Sequence, residues 1–240
     1  MTVTHRPLVE ASPARKSRAR LLVMLGALAV VVIVMIATRD GHESPSASST
    51  QGSGVSVTVR REVAPFTTIE LAGTNALVVH VGAPQSVEVT GDDNLVGRFT
   101  TVVEDRRLVI SDTGSFTTNT PTHVAVSTPS LDGVELSGDG AVTVDGVSST
   151  DFTAELTGDG TVVVSGTAQR VIAVLAGDGL LDLHELVATS STAQLQGTGT
   201  IRVNATGTLD ATLTGTGTIQ YRGDPAVTTH EAGTGAVVPE

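Results

Sequence analysis

Three regularly spaced aspartates are the residues of this sequence whose type and position could do chemistry. Asp139, Asp159 and Asp178 each stand between two glycines, 20 and 19 residues apart. If these segments stack in register, the carboxylates form a column about 4.8 Å apart, where like charges oppose joint ionisation. Calcium binds carboxylate and carbonyl oxygens, so all three are calcium candidates. However, the calcium β-roll uses a shorter repeat, of about nine residues. Aspartate before glycine is also a favoured turn residue, which is the interpretation that the sequence favours.

The other residues that serve in active sites show no arrangement that supports catalysis. The chain has no cysteine, which excludes thiol catalysis, disulfides and zinc–thiolate sites. Glycan-cleaving sites need clustered carboxylates and often aromatic platforms, yet one tyrosine, four phenylalanines and no tryptophan are present. The six histidines have neither metal-ligand spacing nor a catalytic partner: His5, His42, His80, His123, His184 and His230. We therefore predict no catalytic residue and no cofactor, and a protein that is not an enzyme.

Charge is distributed unevenly along the chain. The formal net charge is −11, yet Arg15, Lys16, Arg18 and Arg20 lie together near the N-terminus. From residue 55 onward there are eight arginines, no lysine and 22 acidic residues, a formal charge of −14. Binding to a phosphate backbone needs cations that displace counterions, so we predict that nucleic acid is not a partner.

A Gly-x-Gly turn recurs through the C-terminal half of the chain. Its six copies begin 20, 19, 20, 18 and 18 residues apart, at Gly138, Gly158, Gly177, Gly197, Gly215 and Gly233. Five of these turns have a leucine two residues earlier: Leu136, Leu156, Leu175, Leu195 and Leu213. Apolar residues alternate with other residues on both sides of each turn, which predicts strand, turn and strand with one face buried.

The repeated strand pairs predict a solenoid, because a single pair cannot cover its own apolar face. The expected fold is all-β: a stacked-coil β-solenoid of the β-helix or β-roll type, with about 18–20 residues per coil. Both outer glycines of each turn are expected at positive φ. Gly73-Thr74-Asn75 predicts an earlier, divergent coil, and residues 55–130 are expected to form the other end of the domain. Glu231 replaces the inward leucine of the last copy, which suits a terminal coil that resists edge-to-edge stacking.

An apolar segment precedes these strands. Leu21 to Ala37 are 17 uncharged residues, enough for a helix of about 26 Å across a hydrocarbon core of about 30 Å. Cations flank its N-terminal side, so the N-terminus is expected in the cytoplasm and the C-terminal domain outside it. The predicted parts are a basic cytoplasmic tail (1–20), a transmembrane helix (21–38), a flexible Ser/Gly/Pro stalk (39–54) and the extracytoplasmic solenoid (55–240). A cleaved signal peptide is the alternative, but the run exceeds the usual apolar region of about 7–15 residues and no small-x-small site follows directly.

The opening strands and the repeats together carry a resemblance to a known family. The matching segments are Phe66-Thr67-Thr68-Ile69, Gly73-Thr74-Asn75, residues 87–94, residues 107–110 and the Leu-x-Gly-Asp-Gly repeats. Over roughly residues 63–238 the chain resembles the head GIN domain of auto-transporter adhesins, a bacterial β-solenoid family of the cell envelope. The resemblance implies a cell-surface or periplasmic location and a role in adhesion.

Three hypotheses for function follow. The chain is a membrane-anchored, adhesin-like module that binds an envelope protein or glycan, a structural spacer of the envelope, or a ligand-sensing ectodomain. The short cytoplasmic part, residues 1–20, argues against the sensor. A flat outward ladder of threonines, such as Thr198, Thr216 and Thr234, would favour binding, whereas scattered surface charge would favour the spacer.

Overall fold

The computed structural model describes residues 49–240, which form an almost entirely β structure. Its strands are β1 (Thr50–Gln51), β2 (Ser56–Arg61), β3 (Thr68–Ala72), β4 (Ala76–Val81), β5 (Ser86–Asp92), β6 (Phe99–Glu104), β7 (Arg107–Asp112), β8 (Phe116–Thr117), β9 (His123–Thr128), β10 (Gly133–Ser137), β11 (Ala141–Thr157), β12 (Thr161–Gly177), β13 (Leu180–Gly197), β14 (Thr200–Gly215), β15 (Thr218–Arg222), β16 (Ala226–Gly233) and β17 (Ala236–Pro239). One 3-10 turn, Val96–Arg98, precedes β6.

No helix within residues 49–240 is long and apolar enough to cross a bilayer. The predicted transmembrane helix, residues 21–38, lies outside the described residues, as do the predicted cytoplasmic tail and most of the predicted stalk.

The coils of a solenoid are built by four long parallel strands, β11 to β14. Each bends near its middle, where the ladder slips in register, for example between Val144 and Val147. The C-terminal halves of these strands join a parallel ladder that we call face A, in the order 107–111, 68–72, 133–137, 153–157, 172–176, 192–196, 210–214 and 228–232. The N-terminal halves join face B, in the order 123–127, 76–80, 141–145, 161–164, 180–183, 200–204, 218–222 and 236–239. The predicted all-β stacked-coil solenoid is confirmed.

The core is a stack of inward side chains between the two faces. The repeated leucines lie in register on neighbouring strands of face A and are at most 1% exposed: Leu71, Leu136, Leu156, Leu175, Leu195 and Leu213. Burial of one such side chain contributes about 1.5–3 kcal/mol. Because each coil covers the leucine of the next, the coils are stable only as a stack.

The two glycines of each turn are needed for different reasons. The first has a positive φ in every copy, such as +124° at Gly138 and +121° at Gly158, which L side chains rarely adopt. The second does not have a positive φ, so that part of the prediction was wrong. It is glycine because the coils approach closely: a Cβ on Gly160 would lie 2.6 Å from the carbonyl oxygen of Gly140.

The coils do not follow one another in chain order at the N-terminal end. The coil of β3 and β4 contains the predicted Gly73-Thr74-Asn75 turn and lies between two coils formed later in the chain. On one side it pairs with β7 and β9, and on the other with β10 and β11. Residues 55–130 therefore belong to the same solenoid, as predicted, but in a spatial order that strand periodicity cannot specify.

Antiparallel strands close this end of the solenoid. β6 pairs with β7 on face A, and β5 pairs with β9 on face B, with β2 beyond it. The reversed strands end the parallel stacking at this end.

A buried carboxylate holds the first described segment, residues 50–54, in place against the domain. Asp92 is 0% exposed and accepts hydrogen bonds from Thr120 Oγ1 (2.7 Å), the backbone N–H of Gly54 (2.9 Å) and Thr118 Oγ1. The hydroxyls of Thr118 and Thr120 lower the pKa of Asp92 below its ordinary value. With β1 paired to β8, these contacts hold residues 50–54, which were expected in the stalk, against the domain.

The C-terminal end is an open coil. β16 pairs with β14 alone, and all eight of its residues are exposed. Glu231 lies in register with Leu213, at the position that leucine occupies in earlier coils. A charge on the inward side of an edge strand opposes stacking of a further coil, as the sequence indicated.

Candidate functional site

A notch in face A is centred on Gly133. This residue lies in register between Thr68 and Thr153, at an outward position of the sheet. Because glycine has no side chain, the surface dips between the two threonines into a cavity of about 140 Å³, which Ile69 and Val134 also line. A Cβ on residue 133 would lie 2.9 Å from the backbone carbonyl oxygen of Thr153 and 3.6 and 3.7 Å from side-chain carbons of the two threonines, so a side chain fits here only if the strands shift.

Three glutamates form a ladder along one side of this notch. Glu70, Glu135 and Glu155 occupy the same register position on consecutive strands β3, β10 and β11. Arg107 Nη1 donates to Glu70 Oε2 at 3.1 Å and to Glu135 Oε2 at 3.3 Å. Among the described residues, Glu155 forms no ion pair. The site thus holds three carboxylates and one guanidinium.

The environment of Glu135 disfavours its ionised form. Burial raises the pKa of Glu135, the neighbouring charges of Glu70 and Glu155 raise it further, and Arg107 opposes the rise. Carboxylates at the spacing of adjacent strands, about 4.8 Å, repel one another and favour the approach of a cation.

Further depressions adjoin the notch on the same face. One of about 310 Å³ lies beyond Thr68, toward Glu104 and Asp105, and another of about 560 Å³ extends from Gly133 to residues 148–151. A third, of about 150 Å³, surrounds Ile172, whose side chain is 45% exposed. Each of the four shares Thr68 or Thr153 with a neighbour, so together they form a groove across the strands, which we call the face A groove.

The calcium candidates lie elsewhere, in the stacked turns. Backbone hydrogen bonds hold the turns of Asp139, Asp159 and Asp178 in a column, for example from Gly160 N to Gly138 O at 3.1 Å. The carboxylate of Asp178 accepts a hydrogen bond from the hydroxyl of Thr198 in the next coil. Within residues 49–240, no group of three or more His, Asp or Glu side chains is placed to hold a metal ion. Calcium binding by these aspartates thus gains no support from the geometry.

The predicted threonine ladder continues that column of turns. Thr198, Thr216 and Thr234 are exposed at the turns of the last coils. Thr216 N donates to Gly197 O and Thr234 N to Gly215 O, both at 3.0 Å. This ladder lines a corner of the solenoid and contributes nothing to the face A groove.

Sequence reasoning missed a charged cluster on face B. Asp182 is only 7% exposed and accepts hydrogen bonds from His184 Nδ1 (2.5 Å) and Arg202 Nη1 (3.3 Å), while His184 Nε2 lies 3.0 Å from Glu185 Oε1. Burial raises the pKa of Asp182, but the hydrogen bonds from His184 and the charge of Arg202 outweigh it, so the pKa is lowered. The charged residue within Leu181-Asp182-Leu183 was the available signal. Because Arg202 stands opposite Asp182 on the next strand, the cluster joins neighbouring coils.

The family comparison identifies the domain. A family profile described as "putative auto-transporter adhesin, head GIN domain" matches residues 65–225 of the 240. The chain belongs to this family. The match confirms the resemblance drawn from the sequence, and the matched part of this GIN-domain chain contains the face A groove.

Solved structures share the fold of this GIN-domain chain. A "putative adhesin" from Bacteroides fragilis superposes with a TM-score of 0.67 at 23% identity, covering 79% of this chain and 99% of that one. A "putative lipid binding protein" from Parabacteroides distasonis gives a TM-score of 0.51 at 19% identity, covering 80% of this chain and 100% of that one. Likeness at these identities shows the fold alone. Among curated proteins, none matches this chain.

Proposed function

We propose that this chain is an adhesin-like binding module of the bacterial cell envelope, whose face A groove contacts a partner macromolecule. The observation that carries the proposal is the position of four adjoining depressions on one face, around Thr68 and Thr153. Concave surfaces with a few converging polar groups are where ligands bind most often. A spacer would need only the rigid stack of coils, so the groove favours binding over the purely structural role.

The proposed module is held at the membrane by residues 21–38. Their apolar sequence and the cations that precede it support a single-pass anchor with the N-terminus in the cytoplasm. The acidic solenoid is then extracytoplasmic, and its negative charge keeps it away from an anionic lipid surface. That separation leaves the face A groove accessible to envelope components.

Photocrosslinking in living cells tests the groove. The full-length chain carries p-benzoylphenylalanine in place of Thr153, which lines three of the four depressions. We expect irradiation to give a discrete adduct with an envelope component. The matched control carries the same amino acid in place of Thr212, which occupies an outward position of face A on β14, away from the groove.

The test compares the yields of adduct at positions 153 and 212. An adduct at position 153, with at most a trace at 212, supports a partner on the groove. Adducts of equal yield at both positions, or no adduct at 153, would contradict the proposal. Both changes are outward on the same sheet, so thermal melting of the two chains should agree and exclude misfolding as the cause.

A further inference from the structure

We propose that the face A groove recognises a lysine side chain of a protein partner, which lies in the notch over Gly133 with its ammonium group between Glu135 and Glu155. This inference rests on the proposed binding function and names the chemistry of its ligand. It is drawn from the shape of the notch, its charge, and the side chains that the groove lacks.

The shape of the notch fits one long, thin side chain. Gly133 leaves a gap between Thr68 and Thr153, and the methyl carbon of Thr68 faces this gap, 3.7 Å from where a Cβ of residue 133 would lie. Ile69 and Val134 lie beneath the notch in the core and are only 1% and 3% exposed. The cavity, of about 140 Å³, has room for the methylenes of one lysine side chain. Lysine packs its four methylenes along apolar surface while its charged end reaches polar groups, which matches an apolar notch with a charged side.

The charge of the notch selects a cation. Arg107 contacts Glu70 and Glu135, at 3.1 and 3.3 Å, and leaves Glu155 without an ion pair among the described residues. Burial and two neighbouring carboxylates already raise the pKa of Glu135, so an incoming positive charge relieves an existing repulsion. The part of the chain from residue 55 onward contains 22 acidic residues against eight arginines, so the negative charge that attracts a cationic partner extends beyond the notch.

The residues around the notch favour a protein over a glycan. Sugar rings bind best where aromatic side chains offer a flat platform, and the residues that line the four depressions include only one aromatic, Phe152. Phe152 is 1% exposed and points into the core, so it offers no platform. The carboxylates beside the notch suit a cationic side chain of a protein.

Peptide binding to the full-length chain in detergent tests the inference. The probe is a fluorescein-labelled peptide of sequence Gly-Thr-Lys-Thr-Gly, and the comparison probe carries ε-acetyl-lysine, which removes the charge and keeps the stem. Fluorescence anisotropy at low ionic strength gives the affinities. We expect the acetylated probe to bind at least about tenfold more weakly, which corresponds to about 1.4 kcal/mol.

Two matched variants separate the notch from general electrostatics. Glu155→Gln removes the carboxylate without an ion pair and is expected to weaken binding of the lysine probe about tenfold. Asp210→Asn removes the same charge from an outward position of face A on β14, three strands from Glu155 and opposite Thr192 at the far end of the groove, and is expected to change binding less than about twofold. Because both positions are on the surface, neither change endangers folding.

The outcomes also separate this inference from the proposed function. No binding of the lysine probe, equal binding of the acetylated probe, or equal weakening by both variants would overturn the lysine notch. If the adduct at position 153 forms while the lysine probe binds independently of Glu155, the groove is a binding site for other chemistry. If the probe depends on Glu155 while no adduct forms at 153, the notch takes lysine but the proposed envelope partner is wrong.

Discussion

Replacing Leu175 with alanine is expected to lower the free energy of unfolding by about 2–5 kcal/mol. Leu175 is 0% exposed and lies in register between Leu156 and Leu195 at the centre of the leucine column. The coils above and below are fixed by their own backbone ladders, so they cannot collapse into the space that the side chain leaves. Chemical denaturation of the full-length chain, followed by circular dichroism, measures the change.

Leu180→Ala is the matched control for Leu175→Ala. Leu180 lies on the neighbouring strand β13 at an outward position of face B, where it is only partly buried. Truncation of Leu180 to alanine should lower the free energy of unfolding by less than about 1 kcal/mol, because the side chain buries little apolar surface. Equal losses from the two variants would mean that the inward and outward positions are wrongly assigned.

Gly158→Ala is expected to destabilise the solenoid by about 2–4 kcal/mol through its turn. Gly158 has a φ of +121°, where an L side chain is strained by about 1–3 kcal/mol. The added Cβ would also lie 2.8 Å from the carbonyl oxygen of Gly138 in the preceding coil, so the two coils must separate slightly. The midpoint of chemical denaturation should fall accordingly.

Gly97→Ala is the control variant for Gly158→Ala. Gly97 has no positive φ, and a Cβ there would meet nothing within 4 Å. This substitution is expected to change stability by less than about 1 kcal/mol, with a slight gain from the smaller entropy of the unfolded chain. A Gly158→Ala protein as stable as Gly97→Ala would show that the turn does not require glycine.

The repeated half of the fold could be predicted from sequence because every coil carries the same pattern of leucine, glycine turn and alternating apolar residues. A leucine two residues before a glycine turn, with alternating apolar residues after it, fixes which side chains point inward and which strands are neighbours. The structure places Leu156, Leu175 and Leu195 in register as that spacing required. The close approach at the second glycine could not be predicted, because it depends on the distance between coils rather than on local conformation.

The non-repetitive half and the candidate site could be predicted only in part. Alternation identifies β3 and β7 as strands, but it does not say that β7 stacks next to β3 although β4, β5 and β6 intervene in the chain. Arg107 therefore reaches Glu70 through a pairing that the sequence does not reveal. The recurrence of Glu-Leu before a turn, at residues 70–71, 135–136 and 155–156, was the available signal for the glutamate ladder.

Cysteine labelling of the full-length chain tests the proposed extracytoplasmic position of the solenoid most directly. The natural chain has no cysteine, so Thr216→Cys, at an exposed turn, and Ser12→Cys, in the N-terminal tail, each introduce a single reactive site. With a membrane-impermeant maleimide on intact spheroplasts, we predict rapid labelling of Thr216→Cys and labelling of Ser12→Cys only after lysis. Labelling of Thr216→Cys that requires lysis would place the solenoid in the cytoplasm and contradict the proposed role as an envelope-binding module.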